Sequence, residues 1–269
     1  MTEHSLYLDA AGHPSDQDYL VVAGFLASEQ QWLTFEREWK ECLGTNGVAD
    51  PFHANKFFHE YANSPLKYPI LQELVNVIVR NVRCAFSSTI DLIQYRRINE
   101  RYRFEEIVGT PYAMSARTVI YNLGEWRKLS RCDDPVLFFV ESGTLHEGDM
   151  RECLRDRDKL PEPIPVPKAM PACQAADLYA YGVFHYAQSR IRQRVLTMFH
   201  EKLSFPLGHY DGFSGKKDFR AYLSEPRAVI HSPQFPQGVK VPIPLRKNTE
   251  GLTFNFAATP KKPRIRRVK

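Results

Sequence analysis

The chain lacks most of the signatures from which an activity is usually read. It has no Gly-rich phosphate loop ending in Gly-Lys-Ser/Thr, no His-Glu-x-x-His and no Gly-x-Ser-x-Gly. Nucleoside triphosphatase, zinc protease and α/β-hydrolase readings therefore fall away. Cysteine is scarce: there are five, at 42, 84, 132, 153 and 173, with no Cys-x-x-Cys pair. An odd, scattered set argues against a disulfide framework and against a zinc site, and it suits a reducing cytoplasm. No apolar run approaches the length of a membrane span, and the opening MTEHSLYLD has no basic segment leading into an apolar stretch. Neither a transmembrane helix nor a signal peptide is expected, and the expected location is the cytoplasm. No internal repeat is visible.

The 269 residues that remain to be explained are enough to bury a substantial core, with the composition of a soluble globular protein. The formal charge of +5 is concentrated at one end. The last nine residues, KKPRIRRVK, hold six Lys or Arg, so the rest of the chain sums to −1. Such a tail is expected to be mobile and to be either a solvated charge run or a source of nonspecific phosphate affinity.

Periodicity then gives the elements. Ser5–Leu8 and Tyr19–Leu26 read as a hairpin. Ser28 with Gln31 three residues on is a capping box opening a helix whose buried stripe is Trp32, Phe35, Trp39 and Leu43, stopped by Gly44. A second helix is expected from about Leu66 to Val82 and a strand over Cys84–Ile93. Thr110-Pro111 opens a third helix, with proline at its first position. Val136–Val140 is continuously apolar and reads as an inner strand. Met150–Asp158 reads as a charged helix. In Ile164–Met170 the two prolines forbid a helix and confine any strand to a sheet edge. Cys173–Gln188 is an amphipathic helix. Strands alternating with helices after a hairpin imply an α/β fold with a mixed sheet. Eight of the nineteen prolines lie beyond residue 203. The expected organisation is thus a domain over 1–203, an irregular extension packed on it over 204–248, and the basic tail over 249–269.

Three carboxylates stand out against this pattern. Asp177 leaves the Cys173–Gln188 helix from its apolar stripe, between Cys173 and Phe184. A buried carboxylate needs a partner: an Arg or Lys, a hydrogen-bond network, or a cation shared with other acids. Asp9 closes the first strand, and Glu141 closes the Val136–Val140 strand before the turn Ser142-Gly143. Two acids at strand ends and one on a late helix can meet above a sheet, where α/β folds place ligands. Carboxylate oxygens without thiols or a His cluster suit Mg²⁺ or Mn²⁺. Each acid singly has an ordinary explanation: a turn-capping Asp9, a solvated Glu141, an Asp177 paired with Arg.

The opening YLDAAG, the strand YLVVAGFLAS, the segment PFHANKF (51–57) and the late QAADLYAY (174–181) resemble, in that order, the domain-of-unknown-function 3800 family. The likeness spans roughly residues 5–190. That family is placed with ribonuclease-H-like folds, and Ala10 stands where it often has a second acid. The resemblance implies a ribonuclease-H-like mixed sheet flanked by helices, and a nuclease-like site with Asp9, Glu141 and Asp177 as metal ligands.

Other groups are secondary. His53 is a candidate for positioning water or moving a proton beside such a site, or a loop histidine. His59, Lys56, Glu147 and Asp149 are weaker candidates. Arg96, Arg97, Arg101 and Arg103, interleaved with Tyr95, Tyr102 and Phe104, read as a solvated helical turn or as a strip tracking a nucleic-acid backbone. The expected activity is Mg²⁺- or Mn²⁺-dependent hydrolysis of phosphodiester bonds in DNA, RNA or a hybrid. The rivals are a catalytically degraded nucleic-acid- or protein-binding member of the same fold and, less favoured, a small-molecule phosphohydrolase.

Overall fold

A computed structural model of the chain describes residues 3–15, 17–143, 148, 151, 162–189, 209–214, 229–232 and 235–240. The charged helix expected over 150–158, apart from Arg151, lies outside these residues. So do the candidates Glu147 and Asp149 and the tail 249–269.

The chain opens with a hairpin, β1 (His4–Ala11) and β2 (Tyr19–Ser28), and β2 pairs antiparallel in turn with β3 (Cys84–Asp91). Two later strands, β4 (Val136–Glu141) and β5 (Ile164–Val166), add on the other side of β1, both parallel to it. The five strands therefore run β5-β4-β1-β2-β3, a mixed sheet. A sixth strand, β6 (His209–Ser214), pairs parallel with β3 at the far edge. Part of the stretch read as an irregular extension thus belongs to the sheet. Its alternation over six residues is too short, and too polar (HYDGFS), to announce a strand without the neighbour that completes it. A separate two-stranded pair, β7 (Val229–Ser232) and β8 (Phe235–Lys240), follows.

Helices cover both faces. After β2 come α1 (Glu29–Thr45), α2 (Ala54–Glu60) and α3 (Lys67–Asn81). The capping box at Ser28 is present as expected, and Trp32, Phe35, Trp39 and Leu43 are buried. After β3 come α4 (Leu92–Tyr102), α5 (Phe104–Val108) and α6 (Pro111–Ser130). The Asp91 side chain accepts from Gln94 N at 2.9 Å. That N-cap is why β3 stops at Asp91 rather than running on to Ile93. The last helix on the sheet is α7 (Pro171–Ser189).

Alternation along the strands divides the core in two. Leu6, Leu8, Leu20, Val22, Phe86, Phe138 and Val140 face α4 and α6. Tyr7, Val21, Ala23, Phe25 and Ala85 face α1, α3 and α7, where Tyr7 stacks on Phe139 with ring centroids 4.6 Å apart. The small residues Ala172, Ala175, Ala176 and Ala180 let α7 lie close on β1 and β2.

Candidate functional site

The sheet topology brings the three acids to one place. β1, β4 and β5 are adjacent and parallel, so their C-terminal ends share one edge. Leu8 pairs with Val140, so the next residues, Asp9 and Glu141, lie side by side. Asp9 is two residues beyond Tyr7, and Glu141 is two beyond Phe139. Both therefore stand on the α7 face. Asp177 reaches the same region from α7, which packs on β1 and β2.

The turn after Asp9 depends on Gly12. Its φ is +95°, and a Cβ there would sit 2.2 Å from the Tyr19 carbonyl oxygen. Only glycine combines that backbone with that approach, which gives the Asp-x-x-Gly opening a physical reason.

Asp9 is 3 % exposed, and its Oδ1 accepts from Ala10 N at 2.7 Å. Burial, then the Asp177 and Glu141 carboxylates, push its acid well above the ordinary carboxylate range; Lys168 and the Ala10 amide oppose this only in part. Lys168 is the member of the site that sequence reading missed. Its ammonium lies 3.1 Å from Glu141 Oε2. Burial works against its charge, but Asp177, Asp9 and Glu141 together raise its pKa. The signal was its place two residues beyond β5, whose Val166 pairs with Glu141. Without the register, a lysine between two turn residues has nothing to distinguish it.

Asp177 has a structural task as well. Its Oδ2 accepts from Ala54 N, the first amide of α2, at 2.8 Å. The same oxygen lies 3.2 Å from His53 Nδ1. His53 is the N-cap of α2 but makes no side-chain cap bond, so Asp177 performs the capping from across the fold. One turn earlier on α7, Gln174 is fully buried. Its Oε1 accepts from Trp39 Nε1 and from Phe52 N, both at 2.9 Å, and its Nε2 donates to Asp50 Oδ1 and to the Ala169 carbonyl. The QAAD run thus fastens the 50–54 segment, and with it His53, over the acids.

Two neighbours are chemically quiet. Burial, with Asp9 and Glu141 nearby, pushes the Cys173 thiol up to about 12, so it holds no thiolate near neutrality. Burial and the Asp177 charge raise the Tyr181 phenol.

Asp9, Glu141, Asp177 and His53 are thus gathered on one side of one sheet edge, with Lys168 among them. The acids influence one another electrostatically without forming a tight ligand cluster. Among the described residues, the group of metal-type ligands whose donor atoms all lie within 4.8 Å of one another is His4, Cys132 and Asp134, not these three. His59 and Lys56 are exposed on α2. The arginine cluster is divided among other tasks: Arg96 donates to the Pro14 and Gln17 carbonyls, while Tyr95 and Phe104 pack edge to face in the core. Those two rings offer no stacking surface. Among the described residues no helix is long and apolar enough to cross a membrane. Comparison with family models, with curated proteins and with solved structures found no match.

Proposed function

We propose that the chain is a divalent-metal-dependent phosphodiesterase acting on nucleic acid, built on a ribonuclease-H-like sheet of the kind the domain-of-unknown-function 3800 family carries. The observation that supports it most is the charge imbalance around Asp9: three carboxylates from β1, β4 and α7 share one region in which Lys168 is the ammonium found among the described residues. A buried acid crowded by two others loses stability when ionised unless a cation joins it. The oxygen-only donor set suits a hard divalent ion.

Asp9, Glu141 and Asp177 would hold Mg²⁺ or Mn²⁺, which when bound supplies activation of water and stabilisation of negative charge on a phosphate. Asp9, protonation-prone alone, would ionise to take up that role. Lys168 would leave Glu141 to meet the phosphate oxygens. His53, held against Asp177, would accept or return a proton at its imidazole. Asp177 caps the start of α2, which places His53 beside it.

The test separates the two jobs of Asp177. Asp177→Asn keeps an acceptor for Ala54 N but removes the charge. It should fold, yet lose cleavage of a panel of single-stranded and duplex DNA, RNA and hybrid substrates supplied with Mg²⁺ or Mn²⁺. His53→Ala should slow cleavage by roughly 10²–10⁴-fold, the range for a proton-transfer group. Wild-type protein that leaves every substrate intact with Mn²⁺ at high concentration would refute the reading.

A second reading rests on Lys168. Its contact with Glu141 and its coupling to all three acids make it a resident counter-ion. On that reading, with Ala10 where a further acid is common, the chain is a nucleic-acid- or protein-binding member of the same fold. Mg²⁺ or Mn²⁺ would then leave the melting temperature unchanged in wild type and in Asp9→Asn alike.

A further inference from the structure

We propose that His4, Cys132 and Asp134 form a second metal site, for a zinc-class divalent transition ion, at the opposite end of β1 from the acids. The donor atoms of the three residues all lie within 4.8 Å of one another. His4 Nδ1 and Asp134 Oδ2 are 3.8 Å apart. That is beyond a hydrogen bond. It is close to the separation of roughly 3.4–3.6 Å that ordinary zinc bond lengths and a tetrahedral angle give two ligands on one ion.

The ligands sit on backbone that is already fixed. His4 begins β1, pairs with Val136 of β4, and donates its amide to the Pro135 carbonyl at 3.1 Å. Cys132 follows the left-handed Arg131 that ends α6. Its amide donates to the Arg127 carbonyl at 3.0 Å, and its own carbonyl accepts from Arg127 Nε at 3.1 Å. Asp134 is two residues further on, so Cys132-x-Asp134 is a local chelate and His4 closes it from the sheet. His4 is fully buried, while Asp134 is about one-third exposed.

The donor set decides the ion. One imidazole, one thiolate and one carboxylate are a mixture that Mg²⁺ and Ca²⁺ do not select and that zinc, borderline in softness, does. Three protein ligands leave the fourth tetrahedral position for water or a further group, on the Asp134 side that reaches solvent. The cysteine pattern had argued against zinc because it lacks Cys-x-x-Cys. The third ligand lies 128 positions away in the chain, where no local motif can register it.

This site does not depend on the phosphodiesterase reading. His4 shares the strand face of Leu6 and Leu8, and Asp9 the opposite one. They are five positions apart along the strand, about 17 Å at the usual rise.

The test uses Co²⁺ as a spectroscopic stand-in on the full chain after chelator treatment. Wild type should bind one ion that shows tetrahedral visible bands and a sulfur-to-cobalt charge-transfer band, separate from any cobalt held by the oxygen-only acids, and zinc should bleach both. Cys132→Ser should lose the charge-transfer band, and Asp134→Asn should weaken binding by at least about 10-fold, the lower end of what even an outer-shell change costs. Both substitutions are at partly exposed positions and should leave the apo protein folded, which circular dichroism checks. Asp9→Asn should leave the cobalt spectrum untouched, which distinguishes failure here from failure of the acid site. Absence of a charge-transfer band in wild type, or its survival in Cys132→Ser, would overturn the proposal.

Discussion

The two faces of the sheet treat buried polar groups differently. Under α6, the buried Ser115 hydroxyl donates to the Ser88 carbonyl at 3.0 Å, and Arg117 Nη1 donates to the Val108 carbonyl. Those bonds go to backbone of the adjoining strand and turn, 27 and 9 positions away. Under α7, Gln174 and Asp177 reach across the fold to α1 and to the segment leading into α2, and an excess of carboxylates accumulates beside them. One face is a core in which buried polar side chains such as Ser115 bond to adjoining backbone. The other is a core into which a polar network has been inserted, and it is the face that carries the three acids. A fold holds charge where it also holds the means to position it.

Truncating each network should expose that contrast. Gln174→Ala leaves Trp39 Nε1 and the Phe52 amide without their acceptor in a closed core, so it should cost about 3–5 kcal/mol. Ser115→Ala removes one hydroxyl donor from the Ser88 carbonyl and should cost about 1 kcal/mol. Urea unfolding midpoints at constant slope measure both. Equal losses would mean that the two faces are not different in kind.

Titration sharpens the comparison further. The folded protein holds the Asp9 acid above its unfolded value, so ionising it works against the fold. Its favourable contribution is complete below the ordinary carboxyl range and is lost as pH rises through the raised folded value. In chelator, Asp9→Asn should therefore melt higher than wild type at neutral pH, with the gap closing on acidification below the ordinary carboxyl range. A lower melting temperature at neutral pH would show that Asp9 is a required acceptor rather than a strained charge.

The smallest expected effect is the most specific. Lys168→Met removes the ammonium that lies among the three acids. Mg²⁺ or Mn²⁺ should then raise the melting temperature more in this variant than in wild type, because the ion no longer competes with the lysine. If Lys168 is instead a permanent counter-ion, the variant should be destabilised with no gain from either metal.

Local pattern carried much of the fold. The Ser28–Gln31 capping box, the Trp32-Phe35-Trp39-Leu43 stripe, Thr110 before Pro111, and the proline-limited edge strand at Ile164–Val166 all depend on neighbours within a few residues, and each appears in the structure. The acids were nameable for the same reason: Asp9 and Glu141 end apolar runs, and Asp177 interrupts one. Long-range pairing hid the rest. Lys168 gains its meaning from the register of β5 on β4, and β6 from β3. Asp177 looked like a carboxylate with few structural reasons to be buried. Its bond to Ala54 N supplies one that only the packed helices reveal.

The bonds that Gln174 and Asp177 accept from Trp39, Phe52 and Ala54 join residues 122 to 135 positions apart. Everything they hold is synthesised first and waits. While the first 170 residues emerge, the Phe52 and Ala54 amides lack their side-chain acceptors and the part of β2 that α7 covers is open. Docking of α7 is therefore the step that brings Asp177 to Asp9 and Glu141, already side by side on β1 and β4. Such distant contacts fold slowly, and protection of the Phe52 and Ala54 amides from hydrogen exchange would time their completion.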